Sequence, residues 1–414
     1  MTTFHRSSSR AALRTLSSLA VAVAAAMCFG TAAHAQDALR PEVAKPLAAA
    51  QELLRNGDAT KAMEQLRLAE NQEGRTDYES YILARLKAPA AMALNDNDAA
   101  LKAFNAALTS PKLDLKDRPS LLETAVAVAY RAKNYAEAER LARVYLAEGG
   151  QAESVRVVLV FVLNARGESA AMLKELDVLI KADQAAGRKV AELRWQLQGS
   201  AQNKLGDAAG YRATLEQLVQ DYPKPAYWQD LVARVQGAPG FASRLGLDVL
   251  RLMRHLNLLT EADEYADLAQ LAQLSGQPIE AKAVLDEGYE RKLLGEGKNA
   301  AQHQQLRQKI NKQAADDRAA LGSAKNDAAK AKDGGVPVAV GQLLISAGDT
   351  AGGLELMAQG LQRGVAKNPD DARLRYGVAL LQAGQRDKAL PVLQALAAKD
   401  GTADLARLWL LAVR

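Results

Sequence analysis

Few side chains in this sequence could support nucleophilic, acid–base or metal chemistry. The chain has one cysteine, Cys28, and four histidines, of which His5 and His34 lie with the cysteine near its start. The other two, His255 and His303, stand in no motif with a serine or an aspartate. The sequence patterns of serine hydrolases, zinc proteases and calcium-binding loops do not occur. We therefore expect no catalytic residue, no metal site and no cofactor.

The first 35 residues have the composition of a secretory signal peptide. Three arginines and no acidic residue accompany an apolar stretch from Leu19 to Met27, and Ala-His-Ala follows at positions 33–35. Small residues at the −3 and −1 positions predict cleavage after Ala35. A retained membrane anchor is the less favoured alternative, since the apolar stretch is about half of the roughly 20 residues that a membrane span needs. We expect an exported, periplasmic protein.

Removal of this leader changes the charge and the redox chemistry of the chain. The whole sequence carries 53 Lys and Arg against 48 Asp and Glu, a formal net charge of +5. Without the three leader arginines the balance is 50 against 48, or +2, which does not indicate a nucleic-acid partner. Cleavage also removes Cys28, so disulfides are excluded and the apolar core must stabilise the fold. We expect no integral membrane span after cleavage.

A short pattern recurs along the chain, in which a polar turn leads to a small residue and then to a large apolar residue four positions later. Neighbouring copies are 34 to 39 residues apart, and two longer gaps of 70 and 72 residues are each about two periods. Apolar residues recur at helical spacing between the turns, so each copy predicts a pair of helices. The small-residue position is occupied by Ala62, Ala100, Ala138, Met172, Tyr211, Ala281, Gly353 and Ala389.

Residues 195–223, WQLQGSAQNKLGDAAGYRATLEQLVQDYP, show the pattern most clearly. Gly199 and Gly206 are seven residues apart. A phosphate-binding loop would need a preceding strand and a following Lys-Ser or Lys-Thr, and the sequence has neither. With Trp195 and Pro223, the two glycines instead resemble the tetratricopeptide repeat (TPR) family. The resemblance implies that Gly199 allows close helix approach, that Gly206 ends the first helix and that Pro223 ends the second.

The resemblance implies an all-α fold, a TPR-like α-solenoid of antiparallel helix pairs in a right-handed superhelix. Composition divides the chain further. The segment 298–335 is rich in Ala, Gln and basic residues, and it is either a docking helix or, as its solvated composition favours, a spacer. The predicted parts are a signal peptide (1–35), an N-terminal TPR-like array (36–297) with a degenerate repeat near 224–259, the basic helical insert (298–335) and a C-terminal TPR pair with a capping helix (336–414).

The first helices of TPR pairs line a concave groove that binds peptides. Cations in line with two aromatic rings between them are suited to an acidic peptide or a C-terminal carboxylate. The alternative is that Tyr130 and Phe161 pack between repeats and that the cations are ordinary surface residues. By repeat phase, the groove is predicted to carry Arg55, Tyr130, Arg131, Phe161, Asn164, Asn203 and Lys204.

These features predict a non-enzymatic periplasmic scaffold or adaptor that binds a protein or peptide partner in a cell-envelope complex. In its leader, degenerate repeats, basic insert and ending DGTADLARLW, the chain resembles TPR proteins of TonB-type energised uptake systems. One alternative is a scaffold of outer-membrane biogenesis, cell-wall or polysaccharide-export machinery. Another is a substrate-binding or enzymatic solenoid. A closed pocket with converging titratable groups would favour this last alternative, and an open groove would count against it.

Overall fold

The computed structural model describes residues 38–413, and in this range the regular structure is helical. The predicted signal peptide lies outside the described residues. The α-helices are α1 (Pro41–Arg55), α2 (Ala59–Glu70), α3 (Asp77–Ala93), α4 (Asn97–Leu108), α5 (Arg118–Arg131), α6 (Tyr135–Ala147), α7 (Glu153–Arg166), α8 (Ser169–Ala185), α9 (Glu192–Lys204), α10 (Ala208–Asp221), α11 (Pro225–Gln236), α12 (Gly246–His255), α13 (Ala262–Leu274), α14 (Pro278–Glu290), α15 (Ala300–Lys330), α16 (Gly335–Ala347), α17 (Thr350–Arg363), α18 (Pro369–Gln382), α19 (Arg386–Gln394) and α20 (Thr402–Ala412).

The chain divides after Arg188 into two compact units. We call them unit 1, described from residue 38 to 188, and unit 2, described from 189 to 413. The predicted boundaries after residues 297 and 335 separate segments of different repeat type and composition, whereas the division after Arg188 separates compact units. These two boundaries stay predictions.

Unit 1 consists of four antiparallel helix pairs, α1/α2, α3/α4, α5/α6 and α7/α8. Each second helix also contacts the first helix of the next pair, and α1 contacts α3 as α5 contacts α7. The small residues predicted to close each pair are buried: Ala62, Ala100, Ala138 and Met172 are at most 1% exposed. An alanine at this place allows two helices to approach, which buries the apolar faces on both sides. The predicted all-α, TPR-like fold is confirmed.

The recurring turn has a common local cause. One residue adopts a left-handed backbone conformation, as Gly206 does with a φ of +72°, and the next residue caps the following helix. The capping side chain accepts a hydrogen bond from the backbone N–H three residues later, which satisfies a donor that the helix leaves unpaired. The residues that cap in this way include Asp58, Asp96, Asn134, Asp207 and Asp349.

Unit 2 begins with the pair α9/α10, and its last helix returns to its first part. Helix α20 packs against α18 and α19 and also contacts α10 and α12. Trp409, on α20, is 1% exposed, and its ring centroid lies 4.9 Å from that of His255 on α12. Helix α20 therefore closes the unit on itself as well as covering the last helix pair, and its role as a repeat cap stays a prediction.

Ion pairs between residues far apart in sequence stabilise the contact between the last helices of unit 2 and its earlier part. Arg375 on α18 lies 2.9 Å from the buried carboxylate of Asp248 on α12. Arg244 lies 2.9 Å from Asp371 and also pairs with Asp400. The backbone N–H of Ala242 donates to the carbonyl oxygen of Asp400 at 2.8 Å. These contacts connect the α11–α12 region to the last three helices.

The predicted basic insert contains one long helix, α15, which packs against α14 and α16. Ile310 is buried in the core beside α13 and α14, and Leu306 and Leu321 pack on core clusters. Arg307 pairs with Asp286 of α14 at 2.9 Å. The three large aliphatic residues of the segment therefore contribute to the core of unit 2, while much of the helix surface stays exposed.

The buried carboxylate of Glu79 stabilises the first residues of unit 1. Glu79 on α3 is fully buried and accepts hydrogen bonds from the Arg40 guanidinium, at 3.0 Å from Nε, and from the backbone N–H groups of Arg40 and Thr76, both at 2.9 Å. The side-chain hydrogen bond from Arg40, with these backbone bonds, holds the pKa of Glu79 at about 2, although burial opposes the shift.

We expect Glu79→Gln to lower the stability of unit 1 at neutral pH. The folded-state pKa of Glu79 lies below its ordinary value of 4.5, so its stabilisation is present above pH 4.5 and is lost as the pH falls toward about 2. Urea unfolding by circular dichroism from pH 7 to 2 should show a difference from wild type that shrinks over this range. Glu64→Gln, at an exposed position, is the control. A difference that does not depend on pH would contradict the assignment.

Candidate functional site

The predicted groove residues of unit 1 centre on two aromatic rings. Tyr130 on α5 and Phe161 on α7 are half-buried, with ring centroids 6.3 Å apart and planes tilted by 31°. Tyr135 lies 6.0 Å from Tyr130. Burial, and to a lesser degree Tyr135, raises the pKa of Tyr130. The rings thus join the first helices of two neighbouring pairs and still present part of their surface to solvent.

The polar residues of unit 1 that were predicted to line the groove differ in their surroundings and ion pairs. Arg131 ends α5 next to Tyr130, is exposed, and makes no ion pair within residues 38–413. Asn164 is half-buried one helical turn after Phe161. Arg55 ends α1, two helix pairs earlier, and lies 3.4 Å from Glu52 of its own helix. The structure therefore brings Tyr130 and Phe161 together, with Arg131 next to Tyr130 in sequence. It leaves Arg55 two helix pairs earlier in unit 1.

The last two predicted residues, Asn203 and Lys204, belong to unit 2. Both are exposed at the end of α9. The side-chain oxygen of Asn203 accepts a hydrogen bond from Arg234 at 3.2 Å. The predicted line of cations from Arg55 to Lys204 thus spans both units, and it stays a prediction.

The described residues offer no cluster of the metal-binding type. No group of three or more His, Cys, Asp or Glu side chains within residues 38–413 is placed to hold a metal ion. His303 is buried, and its Nδ1 accepts a hydrogen bond from the backbone of Gly295 at 3.3 Å. His255 lies against Trp409, and burial lowers its pKa. Among the helices of this range, none has the length and apolar character that crossing a membrane requires.

Unit 2 contains a cavity that sequence analysis did not predict. Its volume is about 560 Å³, and α12, α14, α16, α18 and α20 contribute to its lining. Apolar residues, Ile345, Leu374, Val378, Ala379 and Trp409, form part of the wall. Polar and charged residues form the rest: Asp248, Arg251, Arg254, His255, Asn257, Glu280, Glu287, Gln342, Ser346, Arg375 and Gln382.

Ion pairs order the charged lining. Asp248 is 4% exposed and accepts hydrogen bonds from Arg251 at 3.1 Å and from Arg375 at 2.9 Å. Arg251 also donates to both oxygens of Glu280, at 2.8 and 2.6 Å. These bonds connect α12 to α14 and to α18. Three helices are therefore connected through two carboxylates, Asp248 and Glu280, and two arginines.

A second ion pair lies further along α12. Arg254 donates to Glu287 at 2.7 Å, and the Tyr265 hydroxyl donates to the other oxygen of Glu287 at 2.7 Å. Burial opposes ionisation of Glu287, but these hydrogen bonds and the nearby arginines hold its pKa below the ordinary value. Burial, and to a lesser degree the hydrogen bond to the Glu287 carboxylate, raises the pKa of Tyr265 to about 12.

Comparison with known proteins finds solved structures of low sequence identity and low TM-score. No protein-family model and no curated protein matches the chain. It is similar to a solved structure of Naa15/Naa10 bound to HypK-THB, at 15% identity and a TM-score of 0.34, covering 88% of this chain and 65% of that one. The chain thus spans less than two thirds of the length of that relative.

Two further solved structures are similar to it. A tetratricopeptide repeat protein from Parabacteroides merdae has 12% identity and a TM-score of 0.30, over 80% of this chain and 99% of that one. Yeast Tom70 has 10% identity and a TM-score of 0.26, over 89% and 95% of the two chains. The all-α, TPR-like fold assigned here rests on the helix pairs of this chain itself.

Proposed function

We propose that this protein is a non-enzymatic scaffold that binds an acidic segment or a C-terminal carboxylate of a partner protein through Tyr130, Arg131 and Phe161. We call these three residues the aromatic–arginine surface. An exposed guanidinium supplies charge-assisted hydrogen bonds to a carboxylate. Partly exposed rings beside it supply apolar contact area of the kind that interfaces favour. The proposal is supported by the 6.3 Å spacing of the two rings and by the exposure of Arg131, the next residue after Tyr130 on α5.

The observation that carries the proposal is the unpaired state of Arg131. The other arginines within the first helices of unit 1 all face a carboxylate, whereas Arg131 has no ion-pair partner in the described range. A guanidinium without a protein carboxylate remains able to bind one from a partner. The paired ones are Arg55–Glu52, Arg85–Asp117, Arg118–Glu148, Arg156–Glu175 and Arg166–Glu139.

The location and the pathway are further parts of the proposal. The leader of residues 1–35 supports export to the periplasm. The overall layout of the sequence supports a role in a TonB-type energised uptake system. A scaffold of outer-membrane biogenesis, cell-wall or polysaccharide-export machinery is the second candidate, because the same surface would serve there equally well. The identity of the captured partner distinguishes the two.

We expect Arg131→Glu to reduce partner capture about tenfold or more, since a hydrogen bond to a charged group contributes about 1.5–3 kcal/mol. The test places a photo-crosslinking residue at Ala127, which is partly exposed one turn before Arg131 on α5. Crosslinked products from intact cells are then identified and quantified. Arg67→Glu is the matched control, because Arg67 is also exposed in the last turn of its helix and without an ion pair in the described range, but lies on a second helix.

Each outcome has a definite meaning. Capture of inner-membrane energising proteins that is lost in Arg131→Glu and kept in Arg67→Glu supports the uptake-system proposal. Capture of cell-wall or export proteins with the same dependence supports the second candidate. Equal capture by wild type and Arg131→Glu would show that the aromatic–arginine surface is not the binding surface.

A further inference from the structure

The cavity of unit 2 has balanced formal charges but unbalanced hydrogen-bonding capacity. Three arginines and three carboxylates line it. Each carboxylate oxygen already accepts at least one hydrogen bond from the protein. The oxygens of Asp248 bind Arg251 and Arg375, those of Glu280 bind Arg251, and those of Glu287 bind Arg254 and Tyr265. The anionic acceptors of the cavity are therefore engaged.

The cationic donors are engaged only in part. Arg254 binds Glu287 through Nε alone, so Nη1 and Nη2 have no hydrogen-bond partner within residues 38–413. Arg375 binds Asp248 through Nε and Nη2, and its Nη1 likewise has no partner in that range. Each nitrogen of Arg251, by contrast, donates to a carboxylate. The unused charged groups of the cavity are guanidinium N–H donors.

We propose that this cavity binds a small organic anion, in which a carboxylate or phosphate group is attached to an apolar body. The oxyanion would accept hydrogen bonds from Arg254 and Arg375, because guanidinium groups match the geometry of both kinds of oxyanion. The apolar body would lie against Leu374, Val378 and Trp409, which line the same cavity. A volume of about 560 Å³ is within the usual range for small-ligand sites.

The arrangement disfavours a cation as the ligand. A cation would have to share carboxylate oxygens that arginines already occupy. It would also meet the unused N–H groups of Arg254 and Arg375, which repel positive charge. An anion meets those donors without displacing any existing ion pair.

The arginines are held in place before a ligand enters. Asp248 fixes Arg375 from α18, and Glu287 fixes Arg254 from α12. Each pair leaves one edge of its guanidinium unbound while restricting the side chain's rotation. Preorganisation of this kind lowers the entropy lost on binding. This site belongs to unit 2, whereas the aromatic–arginine surface belongs to unit 1, and it does not depend on the proposed scaffold function.

Isothermal titration calorimetry on the full chain tests the proposal with defined probes. The probes are 4-phenylbutyrate, its neutral analogue 4-phenylbutanamide, and phenyl phosphate, with acetate and inorganic phosphate as anions that lack an apolar body. We expect at least one of the two aromatic anions to bind, and to bind at least about tenfold more tightly than the amide and the small anions. The stronger of the two identifies the oxyanion. Absence of binding by both aromatic anions at millimolar concentration, or equal binding of the amide, would overturn the proposal.

Arg254→Gln should weaken binding of the preferred anion about tenfold or more, because it removes the two unpartnered donors. Glu287 keeps its hydrogen bond from Tyr265 in this variant. Arg234→Gln is the matched control, since Arg234 belongs to unit 2, pairs with Asp230 at 3.2 Å, and does not line the cavity. Unchanged affinity in Arg254→Gln would contradict the site.

A measurement on wild-type protein covers the case in which Arg254→Gln does not fold. His255 lines the cavity, whereas His303 is buried elsewhere in unit 2. The histidine Hε1 resonances are followed by NMR during titration, and the His255 signal is assigned by its loss in His255→Gln. We expect the anion to shift the His255 signal and to leave that of His303 in place. Saturable binding without a shift at His255 would place the ligand outside this cavity and refute the proposal.

Discussion

Gly341→Leu is expected to lower the free energy of unfolding of unit 2 by about 3 kcal/mol or more, near or above the upper end of the usual cost of overpacking. A Cβ atom at Gly341 would lie 2.6 Å from the backbone oxygen of Gly353 and 2.5 Å from Cγ of Met357. Met357 could move, but the Gly353 carbonyl belongs to the backbone of α17. Helices α16 and α17 would have to separate, which would expose buried residues on both.

Gly322→Ala is the matched control for this prediction. Gly322 also lies inside a helix, α15, but a Cβ atom there meets nothing within 4 Å. Alanine should therefore raise stability by about 0.5–1 kcal/mol, because it restricts the unfolded backbone more than glycine does. Urea unfolding followed by tryptophan fluorescence reports on unit 2 specifically, since Trp195, Trp228 and Trp409 all belong to it. Equal stability of Gly341→Leu and wild type would mean that α16 and α17 are not in backbone contact.

The repeat architecture could be predicted because its causes are local. The glycine pair in residues 195–223 was expected to allow close packing and to end a helix. A Cβ atom at Gly199 would indeed lie 3.0 Å from the Tyr211 ring, and Gly206 follows α9 with a left-handed φ of +72°. Helix α10 ends at Asp221, two residues before Pro223. Each of these features depends on a few neighbouring residues, so a sequence pattern can show it.

The closure of unit 2 could not be predicted in this way. It depends on pairs such as Arg375–Asp248 and Arg244–Asp371, whose members are each 127 residues apart in sequence. A repeat phase specifies how each helix pair packs on the next, but small rotations accumulate over many pairs. Whether the last helix contacts the early helices of the unit, as α20 contacts α10 and α12, is therefore a global property that no single repeat encodes.

The cavity was missed for a related reason. Helix α12 buries one apolar face, on which Val249 and Leu252 are at most 1% exposed. The opposite face carries Asp248, Arg251 and Arg254 at helical spacing, which is also the pattern of an ordinary solvated face. Only the position of α18 and α20 shows that this polar face borders a cavity.

The residues of the aromatic–arginine surface could be predicted in part from the sequence. Repeat phase assigned Tyr130 and Phe161 to the groove of neighbouring pairs, and the rings lie 6.3 Å apart. It did not show the boundary after Arg188, because the turn there contains a glycine like the turns inside each unit. The assignment of Asn203 and Lys204 to the same groove as Arg55 rested on an unbroken array, and the two units now have to be tested separately.

Asp248→Asn is expected to destabilise unit 2 by about 3–5 kcal/mol, the usual cost of removing one member of a buried ion pair. Asp248 is 4% exposed and receives hydrogen bonds from Arg251 on its own helix and from Arg375 on α18. An asparagine carries no negative charge, and its amide group cannot accept from both guanidiniums as a carboxylate does. Arg251 would keep its hydrogen bonds to Glu280, but Arg375 would lose the carboxylate with which it pairs.

Asp370→Asn separates this cost from a general effect of removing an aspartate. Asp370 pairs with Arg373 at 2.7 Å on the exposed surface of α18, within one turn of the same helix, and pairs of this type contribute about 0–1 kcal/mol. Unfolding in urea, followed by tryptophan fluorescence at neutral pH, should therefore place Asp370→Asn near wild type and Asp248→Asn far below it. Because Asp248 also positions Arg375, the folded fraction of Asp248→Asn should bind the cavity's anion more weakly. A loss of stability no larger than that of Asp370→Asn would show that the ion pairs through Asp248 do not hold α12 and α18 together, and closure would then have to depend on apolar contacts such as those of Trp409.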